Sequence, residues 1–294
     1  MSEPPAMETG PIEEPRGYWH RVYSQFRRDR MAVLGIALIA VLGATALFAD
    51  VLASAHPLVM RYQGALYAPI VGELPEELRA IAPGEIPAHL GEDDWALWAP
   101  IPYGPTQHDL ERRLEPPSAD HWLGTDDRGR DLLSRMVHGS RISLSVGFVS
   151  VGIALIIGVM IGAAAGYYGG KVDVVISRLI EVVICFPTFF LILAVIALLP
   201  PSMMIIMVVI GLTSWTGIAR LIRAEVLKVR TMDYVQAARS LGVANSRIIF
   251  RHILPNSLAP AMVSATFGIA AAILVESSLA FLGFGVPPPT ASWG

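Results

Sequence analysis

Apolar residues in this chain gather into long unbroken runs, with the polar residues collected between them. A helix rises about 1.5 Å per residue, so about 20 apolar residues cover the roughly 30 Å hydrocarbon core of a bilayer. Runs of this kind predict five membrane-spanning helices, at residues 32–52, 143–165, 180–199, 203–218 and 258–281. Inside lipid every backbone polar group must be bonded internally, and continuous runs point to helices where a barrel would need alternation. Pro187 predicts a kink in the third span and Pro200-Pro201 a turn after it. Gly147, Gly152, Gly158 and Gly162 give the second span small faces for close helix contact. The predicted fold class is an all-α membrane protein.

The polar stretches divide the rest. Residues 1–31 form an N-terminal tail, rich first in Pro and Glu and then in Arg. Its first part should lack structure, and Tyr18 to Arg30 suits a short amphipathic helix on a membrane surface. Ala53-Ser54-Ala55 after the first span resembles a signal cleavage site, but the apolar run exceeds the 7–15 residues of a signal core. An uncleaved anchor fits better. Residues 53–142 make one long polar insertion, a small domain or a wrapped loop, turning helix-like from Asp126 to Arg141. Between spans four and five lies a basic, helix-prone island, TMDYVQAARSLGVANSRIIFRHILP (231–255), with a helix predicted over 231–247. Tyr234, Ala237, Ala238 and Leu241 fall at i, i+3, i+4 and i+7, one helix face. Asp233 can cap its start or complement its dipole, and Gly242 can end it in the left-handed conformation. Such a helix either docks a soluble partner or lies in the headgroups.

Composition agrees with the pattern. Of 294 residues, 53% are hydrophobic and 16% charged, where a soluble domain carries about a quarter charged; the mean hydropathy is +0.53. With the N-terminus inside, 14 of the 22 Lys and Arg fall on inner segments. The positive-inside rule then puts the basic island inside the cell, and the insertion, which carries 14 acidic residues, outside. The one cysteine, Cys185, reads as a small buried side chain, with no disulfide or Cys metal site. No motif for covalent chemistry is present. Gly170-Lys171 follows a glycine-rich turn, but a phosphate-binding loop needs Gly where Ala165 stands and Ser or Thr where Val172 stands. Alternating charges from Asp126 to Asp131 read as capping and mutual pairing. Glu276 is the acidic residue deep in span five, where a carboxylate is costly and usually faces a pore or partner; near the outer interface it could simply be hydrated.

Four stretches carry a resemblance. Ala237-Ala238, Gly242 and Leu254-Pro255 resemble the EAA motif of permease subunits in ATP-binding-cassette importers. Gln236 stands where that pattern often has Glu, and His252 where it often has Ile; Gln keeps the length and hydrogen bonding of Glu without its charge. HWLGTDDRGRDLLSRMVHGSRISLSVG (121–147) resembles the LGTDxxGRDxxSRxxxGxRxSLxxG signature of the C-type permease of dipeptide and oligopeptide importers. Residues 278–294 resemble that family's LxFLGFGVPPPTxSWG. The insertion, through 56–62 and 95–101, is similar to the permease of the importer for microcin C and other peptides.

The resemblance implies a subunit moving peptides across the bacterial inner membrane by alternating access. It would pair with a homologous B-type permease, two ATPases holding ATP and Mg, and a periplasmic peptide-binding protein, with membrane lipid around it and no nucleic acid. The chain itself would hold no cofactor and be no enzyme. Asp233, Tyr234, Gln236, Ala237, Ala238 and Gly242 would couple to the ATPase, with Leu254 and Pro255 setting the next helix. Gly124, Thr125, Asp126, Gly129, Arg130 and Asp131 would lie on the external side, and Glu276 would line the translocation path. The family continues past SWG with a sixth span, so this chain is expected to end short of it. An ion-coupled carrier, which tends to show internal repeats and several buried charges, and a membrane anchor without its own path are the rival classes.

Overall fold

A computed structural model describes residues 18–294, and the expectation of an unstructured beginning lies outside them. The chain divides into two units, 1–44 and 45–294. In the first, helix α1 (Tyr18–Arg28) is followed by α2 (Arg30–Leu47). Asp29 separates them and caps α2: its Oδ1 accepts from the amides of Met31 and Ala32 at 3.0 and 3.2 Å. Helix α2 buries no residue and is apolar on every side, as lipid requires.

The second unit begins within the last turn of α2 and continues with α3 (Ala49–Leu52) and the insertion. Three short strands, β1 (Val59–Tyr62), β2 (Ala65–Tyr67) and β3 (Trp95–Leu97), form an antiparallel sheet in the order β2-β1-β3. Met60 from β1 packs on Leu78 and Ile86 of two 3-10 turns to give a core of its own. This sheet was not legible in the sequence, whose pattern predicted helices alone. Ser134 Oγ donates to the Tyr103 carbonyl (2.8 Å) and His138 bonds the Ala53 carbonyl (2.8 Å), tying the insertion to the next helix.

That helix, α4 (Leu132–Tyr168), runs 37 residues without a break, about 55 Å. It starts eleven residues before the predicted second span and six after the predicted helix-like start at Asp126. Helix α5 (Gly170–Ile184) then begins almost at once, so the expected inner loop 166–179 is mostly helix. Gly169 and Gly170, both at positive φ, make the reversal a side chain would strain. Helix α6 (Thr188–Ala197) follows α5 at an angle of 76°. The predicted kinked span is thus a broken pair, with Pro187 at the start of α6. Cys185 sits in the break and is exposed, against the expectation of burial: with the helix interrupted, nothing packs over it. Helix α7 (Met203–Val229) outruns the predicted fourth span by eleven residues, and α11 (Ala259–Phe281) fits the fifth. Among the described residues four helices are long and apolar enough to span a membrane, five if the bent pair counts as one.

Helices α4 and α7 pack as a tight pair. A Cβ at Gly158 would meet Ile218 at 2.8 Å, one at Gly166 would meet the Arg223 carbonyl at 2.8 Å, and one at Gly162 would overlap the Ala219 carbonyl. Three absent side chains let the backbones touch, the small-residue packing that membranes favour. Helix α11 packs on α4 and touches α7, with Ile269 and Ile273 against Gly147.

Candidate functional site

Two clusters of the residues singled out above lie at opposite ends of α4. At its C-terminal end sits α8 (Asp233–Ser240). Helix α7 stops at Val229, Met232 is extended, and α8 starts with Asp233 in its first turn. Asp233 makes no cap; it complements the dipole. Gly242, at φ +75°, closes α8: its amide donates to the Arg239 carbonyl (3.0 Å) and that of Val243 to Ala238 (3.2 Å). These are the two bonds of a Schellman cap. A helix predicted as one piece over 231–247 is therefore two. The second piece is α9 (Asn245–Ile248), a π-helical turn (Ile249–Ile253) and α10 (Leu254–Ser257), with Leu254 buried and Pro255 in its first turn.

The predicted face of α8 is only partly right. Val235 and Ala238 are buried, packed with Tyr167, Val229, Ile248 and Ile249. Tyr234, Ala237 and Leu241 point outward, Leu241 with 84% of its surface free. Ala238 thus belongs to the inner face and the other three to an exposed stripe. The stretch 228–251 also exposes Lys228, Arg239, Arg247 and Arg251. Gln236 donates its amide to the Arg230 carbonyl (2.8 Å), a bond a carboxylate could not make.

Residues the sequence reading passed over hold this end together. Tyr167, buried, donates its hydroxyl to Asn245 Oδ1 (2.7 Å) and lies under the Arg239 guanidinium, 5.5 Å from the ring centre. Arg230 donates to the carbonyls of Gly166 (2.9 Å) and Tyr167 (3.2 Å), two that end α4 without helical partners. Arg223 forms a two-bond pair with Asp173 of α5. In sequence GYYGG (166–170) is a glycine-rich turn, and the signal for this contact is its aromatic pair at the end of a span.

At the N-terminal end of α4, the 124–131 signature is a tight structural knot. Gly124 (φ +76°) and Gly129 (φ +70°) press against the carbonyls of Glu115 and Asp109, leaving no room for a side chain. Thr125 Oγ1 accepts from the Glu115 amide (2.9 Å) and donates to the Arg112 carbonyl. Asp126 accepts from the amides of Arg128 (2.9 Å) and Arg130 (3.0 Å) and from the Arg130 guanidinium (2.7 Å). Burial opposes its charge, but those amides and that guanidinium outweigh burial and hold the carboxyl below its usual range. Asp131 is the N-cap of α4: Oδ1 accepts from the Ser134 amide (2.7 Å) and Oδ2 from His121 Nδ1 (2.8 Å), both side chains buried. The second signature packs onto the first. Trp293 donates its amide to Ser143 Oγ (3.0 Å) and its indole to the Met136 carbonyl (3.1 Å), and Gly139 lies under Ser292 and Trp293.

Glu276 lies near this end of α11, fully buried, beside Ser292. It lines neither of two nearby cavities. One, of about 150 Å³, lies among α4, α7 and α11 beside Ser150, Ser214 and Ser264. The other, of about 550 Å³, lies beside Arg128, Arg130, Arg135 and the 287–294 strap.

Comparison with known proteins places these elements in a family. Residues 158–294 match the family described as binding-protein-dependent transport system inner membrane component. Residues 17–69 match the N-terminal TM domain of oligopeptide transport permease C. The inner membrane ABC transporter permease protein YejE of Escherichia coli is 35% identical, over 92% of this chain and 83% of the relative. A relative in Agrobacterium fabrum, the peptidoglycan transport system permease protein YejE, is 31% identical over the whole of this chain and 87% of its own length. A dipeptide transport system permease, DppC of Alkalihalophilus pseudofirmus, is 46% identical over 62% of this chain, which spans 60% of that relative. The chain belongs to the C-type inner-membrane permeases of dipeptide and oligopeptide ABC importers.

Proposed function

We propose that this chain forms part of the membrane path of a peptide importer driven by a partner's ATP hydrolysis. The observation that carries the reading is α8: a capped helix whose inner face is pinned by Val235 and Ala238 while Tyr234, Ala237 and Leu241 stand free beside exposed cations. Such a stripe suits the cleft of a cytoplasmic ATPase, and Asp233, Gln236 and Gly242 shape its ends and side. Two ATPases holding ATP and Mg, a homologous B-type permease and a periplasmic binding protein complete the assembly. ATP closes the ATPases, α8 moves with them, and the equilibrium between inward- and outward-open states shifts by the difference in binding free energy.

In this reading the N-terminus and α8 are cytoplasmic, and the sheet-bearing insertion and the 124–131 knot face the periplasm, where the binding protein delivers peptide. Glu276 acts in the path once the helices separate. The likeness of the insertion to the permease of the importer for microcin C and other peptides supports peptide conjugates of that kind as cargo; one relative matching across the whole chain is named as a peptidoglycan transport permease. The test is purification from membranes followed by uptake in liposomes. Co-purification of a nucleotide-hydrolysing subunit and a second permease, with peptide uptake that needs ATP and survives collapse of ion gradients, is expected. Uptake that follows an ion gradient instead overturns it.

A further inference from the structure

We infer that Tyr167 is the positioning residue through which α8 moves the α4 helix; the inference rests on reading α8 as the ATPase-coupled helix. In sequence α8 follows α7 by three residues, Arg230 to Met232. Helix α4 ended more than sixty residues earlier, so a shift of α8 reaches it through α7, packed along it, or directly through side chains. Three attachments supply the direct route. The Tyr167 hydroxyl bonds Asn245, the first residue of α9. The Arg239 guanidinium, from the last turn of α8, covers the Tyr167 ring. Arg230 holds the Gly166 and Tyr167 carbonyls.

Tyr167 is thus grasped from α8 on one side and α9 on the other, around the Gly242 cap. The two pieces cannot shift together without pulling it. What they pull is rigid. Helix α4 is unbroken, and the bare glycines at 158, 162 and 166 seat it on α7. Its far end is the Asp131 cap with the 124–131 knot and the Trp293 contacts. The arrangement joins the nucleotide-driven end of the molecule to the end where both signature motifs meet.

The experiment uses the whole complex in liposomes and compares the parent with Tyr167→Phe, Asn245→Ala and the double variant. Two quantities are read: peptide imported per ATP hydrolysed, and amide hydrogen exchange over 233–248. Tyr167→Phe keeps the ring under Arg239 and loses one hydrogen bond, worth about a fivefold change in an equilibrium. The expected result is continued ATP hydrolysis, import per ATP down about fivefold, and faster exchange over 233–248. Asn245→Ala should do the same, and the double variant should be no worse than either single one, because all lose the same bond. A merely structural role would lower yield and hydrolysis together and leave the ratio unchanged. Unchanged ratio and exchange in both single variants overturn the role of Tyr167 while leaving the coupling reading intact. A parent complex that hydrolyses ATP without importing peptide overturns the coupling reading and this inference with it.

Discussion

Single side chains in this molecule hold the backbone in places that regular helices leave unsatisfied. Asp131 does two jobs, capping α4 and accepting from buried His121. Replacing it with Ala removes the cap, at about 1 kcal/mol, and strands a buried ring nitrogen, at about 1–3 kcal/mol. The expected cost is about 2–4 kcal/mol, seen as a lower thermal midpoint in detergent, whereas Asp131→Asn keeps one acceptor for the Ser134 amide, loses the one facing His121, and costs less. Asp126 makes the knot pH-sensitive in one direction. Its carboxyl lies below the usual range when folded, so its ionised form is favoured by folding. That stability is complete above an unfolded value of about 4 and is lost as pH falls further through the folded one. Asp126→Asn should flatten the dependence of the thermal midpoint on pH below about 4; an unchanged slope would exclude the effect. Gln236 is a donor toward the Arg230 carbonyl. Gln236→Glu, which restores the residue common in the family motif, removes that bond and sets two acceptors face to face, so faster exchange at the start of α8 is expected.

At the scale of elements, the spans were legible and their ends were not. A run of about 20 apolar residues has one explanation in a bilayer. A helix that continues into water is stopped by caps, and those of α4 depend on His121, Arg230 and the Gly169 turn, which no periodicity reveals. The face of α8 shows the same limit. Tyr234, Ala237, Ala238 and Leu241 fit one stripe and Val235 with Ala238 another; Tyr167, Ile248 and Ile249 decide between them. Burying Val235 gains about 1.5–3 kcal/mol, while turning Tyr234 inward would have to find its hydroxyl a partner. The sheet was illegible because strands of three or four residues are too short for alternation to register. The glycines of α4 are not equivalent. Gly162→Val drives its side chain into the Ala219 backbone and should abolish recovery of folded protein in size-exclusion chromatography. Gly152→Ala meets nothing within 4 Å and should leave recovery unchanged. Gly242→Val also meets no neighbour but places a branched side chain at φ +75°, a cost of about 1–3 kcal/mol. It should lower import per ATP with assembly retained, and normal uptake would count against docking through α8.

For the whole molecule, family and class were readable because the motifs sit where the backbone has no freedom: Gly124, Gly129 and Gly242 at positive φ, and Gly139 beneath the strap. What joined them was hidden, since Tyr167 and Asn245, or Met136 and Trp293, meet only in three dimensions. The break between α5 and α6 has a practical consequence. It interrupts the helical ladder between two apolar segments, and backbone freed at that depth needs water or another protein chain beside it. The chain's one thiol stands at that elbow, exposed. A membrane-impermeant, charged maleimide and an apolar one therefore compete at a single native position with no engineered background. Their relative rates, measured with and without nucleotide, would tell whether solvent enters the elbow as the transporter turns over.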